Sequence, residues 1–205
     1  MNQAVAAKPL GSDARSKILN EAIGIVYREG PGRVTMRSLA EKLGYSAASI
    51  YLHFESKEEL VKEIALYGFD ALGAAMAPAA DVADPAEAVA AAARCYIDFG
   101  LEHPELYRLM FQEIMLADRL TPLERTRALR AWSLSIELYA RGIASGRFRA
   151  SDARTEASLG WACVHGFVQL ALAGKLPGAA LGTADLRRVR EELVAARLRA
   201  LGVSE

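Results

Sequence analysis

The sequence predicts an all-α protein of about nine helices. Three observations carry this reading. No stretch sustains the apolar/polar alternation, rich in Val, Ile and Thr, that a half-buried strand shows. Apolar residues recur instead at i, i+4, i+7 and i+8, as at Ile18, Ala22, Ile25 and Val26, which turns one helix face inward. Gly, Pro and Asp then punctuate the chain where helix ends are needed, from Gly30-Pro31-Gly32 to Thr121-Pro122. With 205 residues, 52% of them apolar and 24% charged, the chain can bury a real core in one domain or two closely packed ones.

The elements follow in order. Residues 1–11 read as a flexible arm. A first helix starts near Ser12 or Asp13 and stops at Gly30-Pro31-Gly32. Thr35 caps a helix through Leu43, with Gly44 in the left-handed position beyond its end. Ser46 caps a short helix, and Ser56 with Glu59 has the spacing of a capping box that opens another. That one runs to about Met76, where Ala77-Pro78 stops it. Asp84-Pro85 starts a helix to about Leu101. His103-Pro104 starts the next, with Leu106, Leu109, Met110 and Ile114 apolar. Thr121-Pro122 opens one through Leu134 and Leu138 toward Gly146. Ser151 or Asp152 opens one to about Gly174, and after LPGAALGT a last helix runs from Thr183 or Ala184 to about Leu201. The alanine-rich AEAVAAAAR is a helix former, not a linker.

Bulk properties exclude several classes. Lys+Arg and Asp+Glu are both 25, so a globally basic nucleic-acid binder is not indicated, although a local basic face is allowed. Cys95 and Cys163 lack metal-ligand or CxxC spacing and read as buried small apolar residues in a reducing compartment. The start, MNQAVAAKPLGSD, lacks the pattern of a signal peptide. The longest apolar run, WACVHGFVQLALAG, is shorter than the roughly 20 residues of a membrane span. A soluble, cytoplasmic chain with no membrane partner is expected. The only histidines are His53, His103 and His165, none in a catalytic or metal-binding spacing, and no phosphate-binding glycine motif is present. No catalytic residue, cofactor or metal is therefore expected.

The most informative stretch is YSAASIYLHFESKEEL, residues 45–60. A helix ending at Gly44, a tight turn and a second capped helix form the helix-turn-helix pattern, which seats its second helix in the DNA major groove. The longer string TMRSLAEKLGYSAASIYLHFESKEELV joins a Leu-Ala pair, a glycine, Ser-x-x-x-Ile-Tyr-x-His-Phe and Ser-Lys-Glu-Glu-Leu. It resembles the N-terminal domain of the TetR family of transcriptional regulators, over roughly residues 13–65. The resemblance implies a three-helix DNA-binding domain over residues 12–60. Residues 61–205 would then form a helical domain that binds an effector and dimerises. It also implies that Tyr51 and His53 close the recognition helix near the sugar-phosphate backbone and that Lys57 contacts phosphate. Ala47 and Ala48 stand where the family commonly reads bases. Taken alone, Tyr51 would be only a half-buried aromatic and His53 a surface residue.

The residue types refine this. Leu39, Ala40, Leu43, Ile50 and Phe54 read as core. Arg37 is a candidate guanine reader, or else a phosphate or solvent contact. Ala47 and Ala48 offer only methyl groups, which suit the thymine methyl. Thr35, Ser46 and Ser49 complete the DNA-facing set, with capping alone as the alternative for Ser46. Through Phe69 there are nine basic and eight acidic residues, so asymmetric placement must supply the field. One protomer should bind weakly, which favours a homodimer on the two half-sites of a palindromic operator in double-stranded DNA.

GWACVHGFVQLALAG, with Trp161 and His165-Gly166, resembles the C-terminal type named for a Trp and a His-Gly pair among TetR-like regulators. YIDFGLEHPELYRLMF, residues 96–111, matches the same type. Trp161 and His165 are i and i+4 and share a helix face. With Met76, Met110, Phe111, Met115 and Trp132 they would line an adaptable cavity for a mainly apolar small-molecule effector, or would simply be core. The resemblance assigns the homodimer interface to the last two helices, about 152–174 and 184–201. There Leu186, Val189, Leu193, Ala196 and Ala200 would meet Leu159, Cys163 and Leu170. The expected function is a repressor released from its operator by the effector. A regulator without a small-molecule effector, constitutive or controlled by a protein partner, is the alternative.

Overall fold

Every regular element among the described residues, 11–113, 120–176 and 183–203 of the computed structural model, is helical. Apart from Gly11, the expected N-terminal arm lies outside them, as does Met115. The described residues form two compact units. The first comprises the chain up to Ala71 with His103–Ala128, and the second comprises Leu72–Glu102 with the chain from Leu129 onward. No helix among the described residues is long and apolar enough to cross a membrane.

The first unit begins with α1 (Ala14–Glu29), whose apolar stripe of Ile18, Ala22, Ile25 and Val26 is buried as the periodicity predicts. Asp13 caps it, accepting from the Ser16 amide at 3.0 Å. α2 (Met36–Leu43) opens on a reciprocal box. Thr35 Oγ1 accepts from the Ser38 amide at 3.0 Å, and Ser38 Oγ accepts from the Thr35 amide at 3.2 Å. Gly44 ends it at φ 67°, a left-handed conformation that a side chain would strain. α3 is only Ala47–Tyr51, and α4 runs Lys57–Met76. Ser56 caps α4, but the Glu59 carboxylate accepts from the Glu55 amide at 2.7 Å, one residue earlier than the expected box. Ile50 and Phe54 are fully buried, and the Arg15 guanidinium lies 4.5 Å over the Phe54 ring.

α6 (Pro104–Glu113) packs against α1, and just before it His103 meets Tyr27 edge-on at 5.3 Å. Burial, with Tyr67 nearby, pushes the Tyr27 phenol up to about 12. α7 (Pro122–Ala128) buries no residue. Charge holds it to α4. Lys62 pairs with Glu124 at 2.6 Å, and Arg127 pairs with Asp70 at 2.8 Å and Glu63 at 3.1 Å.

In the second unit α5 (Pro85–Glu102), α8 (Arg130–Ala144) and α9 (Ala153–Leu172) pack on one another, and α10 (Thr183–Ala200) packs on α5 and α9. Two further expectations need correction. The helix predicted from Thr121 to Gly146 is two, broken at Leu129 (φ −95°, ψ 2°), which makes ten α-helices among the described residues, in keeping with the expected all-α fold of about nine. No Gly or Pro marks the break. It falls where the chain passes between the units. Ala77-Pro78 ends α4 at Met76 as expected, and a 3-10 turn, Ala77–Asp81, follows. Arg141 secures it by donating to the carbonyls of Ala80 at 2.7 Å and Val82 at 2.8 Å. Cys163 is exposed and Cys95 half-buried, so neither is the buried apolar residue expected; both are free thiols.

Candidate nucleic-acid interface and effector site

The DNA-facing candidates come together around α3. Ser46 Oγ accepts from the Ser49 amide at 3.1 Å, and the two hydroxyls lie 2.7 Å apart, so both serines are committed to the helix start. Ala47 and Ala48 are exposed in the first turn. Tyr51 is 52% exposed at its end, while Ile50 beside it is buried. His53 is half-buried in the turn that follows. Lys57, the first residue of α4, is exposed and forms no ion pair among the described residues, which leaves its ammonium available to a phosphate. Thr35 is exposed at the start of α2. Arg37 projects from the first turn of α2 but is paired with Glu41 at 3.1 Å, an i, i+4 contact that at such exposure holds it weakly.

The sequence reading missed Leu52. It is the C-cap of α3 and is 84% exposed, the most open of the large apolar residues among those described. Ile50 and Phe54, at i and i+4, mark the buried face, and Leu52, two residues from each, falls on the opposite one, so helical spacing was the signal that could have found it.

The effector candidates divide between the units. In the first, Met110 is fully buried against Gly68 of α4, and Phe111 meets Phe69 and Tyr107 at ring distances of 5.4 Å and 4.8 Å. In the second, Trp132, Trp161 and His165 are brought together. The rings of Trp132 and Trp161 meet edge-on at 6.1 Å, and those of Trp161 and His165 lie 5.4 Å apart. Tyr96 of α5, not anticipated, joins them. Its hydroxyl accepts from Trp161 Nε1 at 3.0 Å and lies 3.1 Å from His165 Nδ1. Gln169 Nε2 is 3.4 Å from His165 Nε2. Burial pushes the His165 imidazole below its ordinary value, which favours the neutral ring. The Tyr96 role had no local signal, because its partners stand more than sixty residues away.

Elsewhere in this unit, Glu156 of α9 is buried and ion-paired with Arg197 of α10. Burial works against its charge, but the hydrogen bond from Arg197 holds the carboxyl below the ordinary range. Arg197 also lies 5.4 Å over the Tyr139 ring. A side chain at Gly160 would collide with the Tyr139 hydroxyl, whereas one at Gly166 would meet open space.

Comparison with known proteins agrees with this arrangement. The family model described as bacterial regulatory proteins, tetR family, matches residues 18–64. A second, described as the tetracyclin repressor-like C-terminal domain, matches residues 89–197, more than half of the chain. No curated protein matches it. Among solved structures, a protein of unknown function from Rhodococcus sp. RHA1 is 25% identical at a TM-score of 0.81, over 94% of this chain and 97% of that one. The TetR family transcriptional regulator PfmR from Thermus thermophilus is 27% identical at a TM-score of 0.65, over 89% of this chain and 97% of that one. RolR in complex with its ligand resorcinol is 20% identical at a TM-score of 0.65, over 93% of this chain and 88% of that one, a likeness of fold alone. The chain belongs to the TetR family of DNA-binding transcriptional regulators.

Proposed function

We propose that this regulator is a homodimeric repressor, acting in the cytoplasm on a palindromic operator and released when a mainly apolar small molecule binds its second unit. Residues 12–60 carry DNA binding, with Thr35, Arg37, Ser46, Ala47, Ala48, Ser49, Tyr51, His53 and Lys57 at the interface. Residues 61–205 carry the effector and dimer functions. The observation that carries the effector reading is the cluster of Trp132, Trp161, Tyr96 and His165. It places two hydrogen-bonding groups, a phenol and a neutral imidazole, among large aromatic faces. Such a setting suits a ligand with a largely apolar body and one or two hydroxyl or carbonyl groups. RolR, of the same fold, holds resorcinol, a ligand of that kind.

The dimer reading rests on two columns of apolar and small residues that are exposed in part. On α9, Leu159, Cys163 and Leu170 are exposed, with Gly166 between them facing open space. On α10, Val194, Arg197 and Leu201 face the unit's interior, while Val189 and Leu193 are half-buried and Ala196 and Ala200 exposed. Both columns follow the same stagger of 0, 4, 7 and 11 residues, and small residues in each let a partner helix come close.

The test is thermal unfolding with a panel of small aromatic and alicyclic alcohols and ketones, resorcinol among them. A true effector at a hundredfold excess over its Kd adds about 2.7 kcal/mol of stability and releases operator DNA. Tyr96→Phe should weaken that response and leave DNA affinity without ligand intact. If no compound both stabilises the protein and releases DNA, control by a protein partner or constitutive binding replaces this reading.

A further inference from the structure

We infer that Leu52, together with Ala48, is a specificity-determining contact that packs on thymine methyl groups in the major groove. The inference rests on the DNA-binding reading of α3 and adds to it the chemistry that α3 recognises. Residues 45–54 contain no Arg, Lys, Asn, Gln, Asp or Glu. These are the side chains that pair with guanine, adenine or cytosine edges in the major groove. The hydroxyls of Ser46 and Ser49 are bonded to each other and to the start of α3. What α3 presents outward is Ala47 and Tyr51 in one i, i+4 column and Ala48 and Leu52 in the next, all exposed. A single exposed leucine would need no explanation. Here it continues the family's DNA-binding helix, and the column it completes with Ala48 is apolar. The one feature of a base-pair edge that an apolar surface recognises is the C5-methyl of thymine. Arg37 stands on α2 and is engaged by Glu41.

The experiment uses the full-length protein and the duplex it selects from random-sequence DNA. Each thymine of that duplex is replaced in turn by deoxyuracil, which deletes only the methyl group. The expected result is one or two thymines per half-site whose loss of methyl weakens binding roughly fourfold each, the worth of one buried methyl. Leu52→Ala should lower affinity for the selected duplex, and in that variant uracil at the contacted position should cost nothing further. Leu52→Met should restore sensitivity to the methyl. The slope of affinity against salt should not change, because no phosphate contact is lost. Leu52 is so exposed that neither substitution touches the core. A selected duplex indifferent to uracil, or equal uracil penalties in wild type and Leu52→Ala, overturns the inference alone. A protein that selects no sequence overturns it together with the DNA-binding reading on which it rests.

Discussion

At Lys57 an exposed ammonium stands at the start of α4 and forms no ion pair among the described residues. If it contacts a phosphate, Lys57→Ala weakens specific and nonspecific DNA alike. The slope of log affinity against log salt then flattens by roughly 0.9 per protomer. A folded variant with both quantities unaltered would remove Lys57 from the interface. Arg37 poses a different question, since Glu41 already holds it. As a base reader, Arg37→Ala should relax preference at one base pair per half-site by about 1–3 kcal/mol. As a phosphate contact, it lowers affinity equally across operator variants, and binding assays on a set of single-base variants separate the two. The helix caps around these residues were legible in the sequence because capping is local: Thr35, Ser46 and Ser56 each satisfy an amide three residues on. Leu52 was legible too, because Ile50 and Phe54 at i and i+4 mark the buried face and put it opposite; Tyr96 was not, because whether a tyrosine meets a tryptophan depends on tertiary packing that spacing does not encode.

Among elements, α7 has the weakest hold. It buries nothing and stays on α4 through Lys62–Glu124 and the pairs of Arg127 with Glu63 and Asp70. The hydrogen bond from Lys62 brings the Glu124 carboxyl from its ordinary 4.5 down to about 2. A carboxylate whose pKa is depressed on folding contributes stability above its ordinary value and loses that contribution as pH falls through the depressed one. The loss therefore begins near pH 4.5 and is complete near pH 2. For a pair at the surface, screening limits the effect to about 1 kcal/mol. Amides of residues 122–128 should exchange roughly fivefold faster in Glu124→Gln at about pH 7, and the same segment should loosen in wild type on acidification or in about 1 M salt. Hydrogen exchange followed segment by segment reads this directly; α7 amides indifferent to acid, salt and the substitution would show that something other than charge holds it. Proline, glycine and aspartate announced most element starts and stops. The break at Leu129 was silent in sequence because no glycine or proline stands there to announce it.

For the whole molecule, charge decides why one copy is insufficient. Of the basic residues in the first unit, Arg15, Arg28, Arg37, Lys42 and Lys62 each pair with a carboxylate of the same unit. A near-neutral region that spends its cations internally offers DNA few phosphate contacts per protomer, so useful affinity must come from two copies acting on one operator. The dimer seam proposed on α9 and α10 is then a condition of function, and Leu193 tests it. Leu193→Glu places a carboxylate in an apolar seam, at about 1–3 kcal/mol or more for each copy. Two-fold symmetry repeats the cost on both subunits. The dimer dissociation constant should rise by roughly 100-fold or more. Operator affinity should collapse with it, and the residual binding should show about half the wild-type salt slope, because one recognition helix remains engaged in place of two. Sedimentation velocity and an operator titration over a salt series measure both effects. Leu170→Glu, at an exposed position of α9, guards against misfolding as the cause. A soluble Leu193→Glu dimer with unaltered operator affinity would move the interface off this seam, and the shared stagger of the two columns would then have no bearing on assembly.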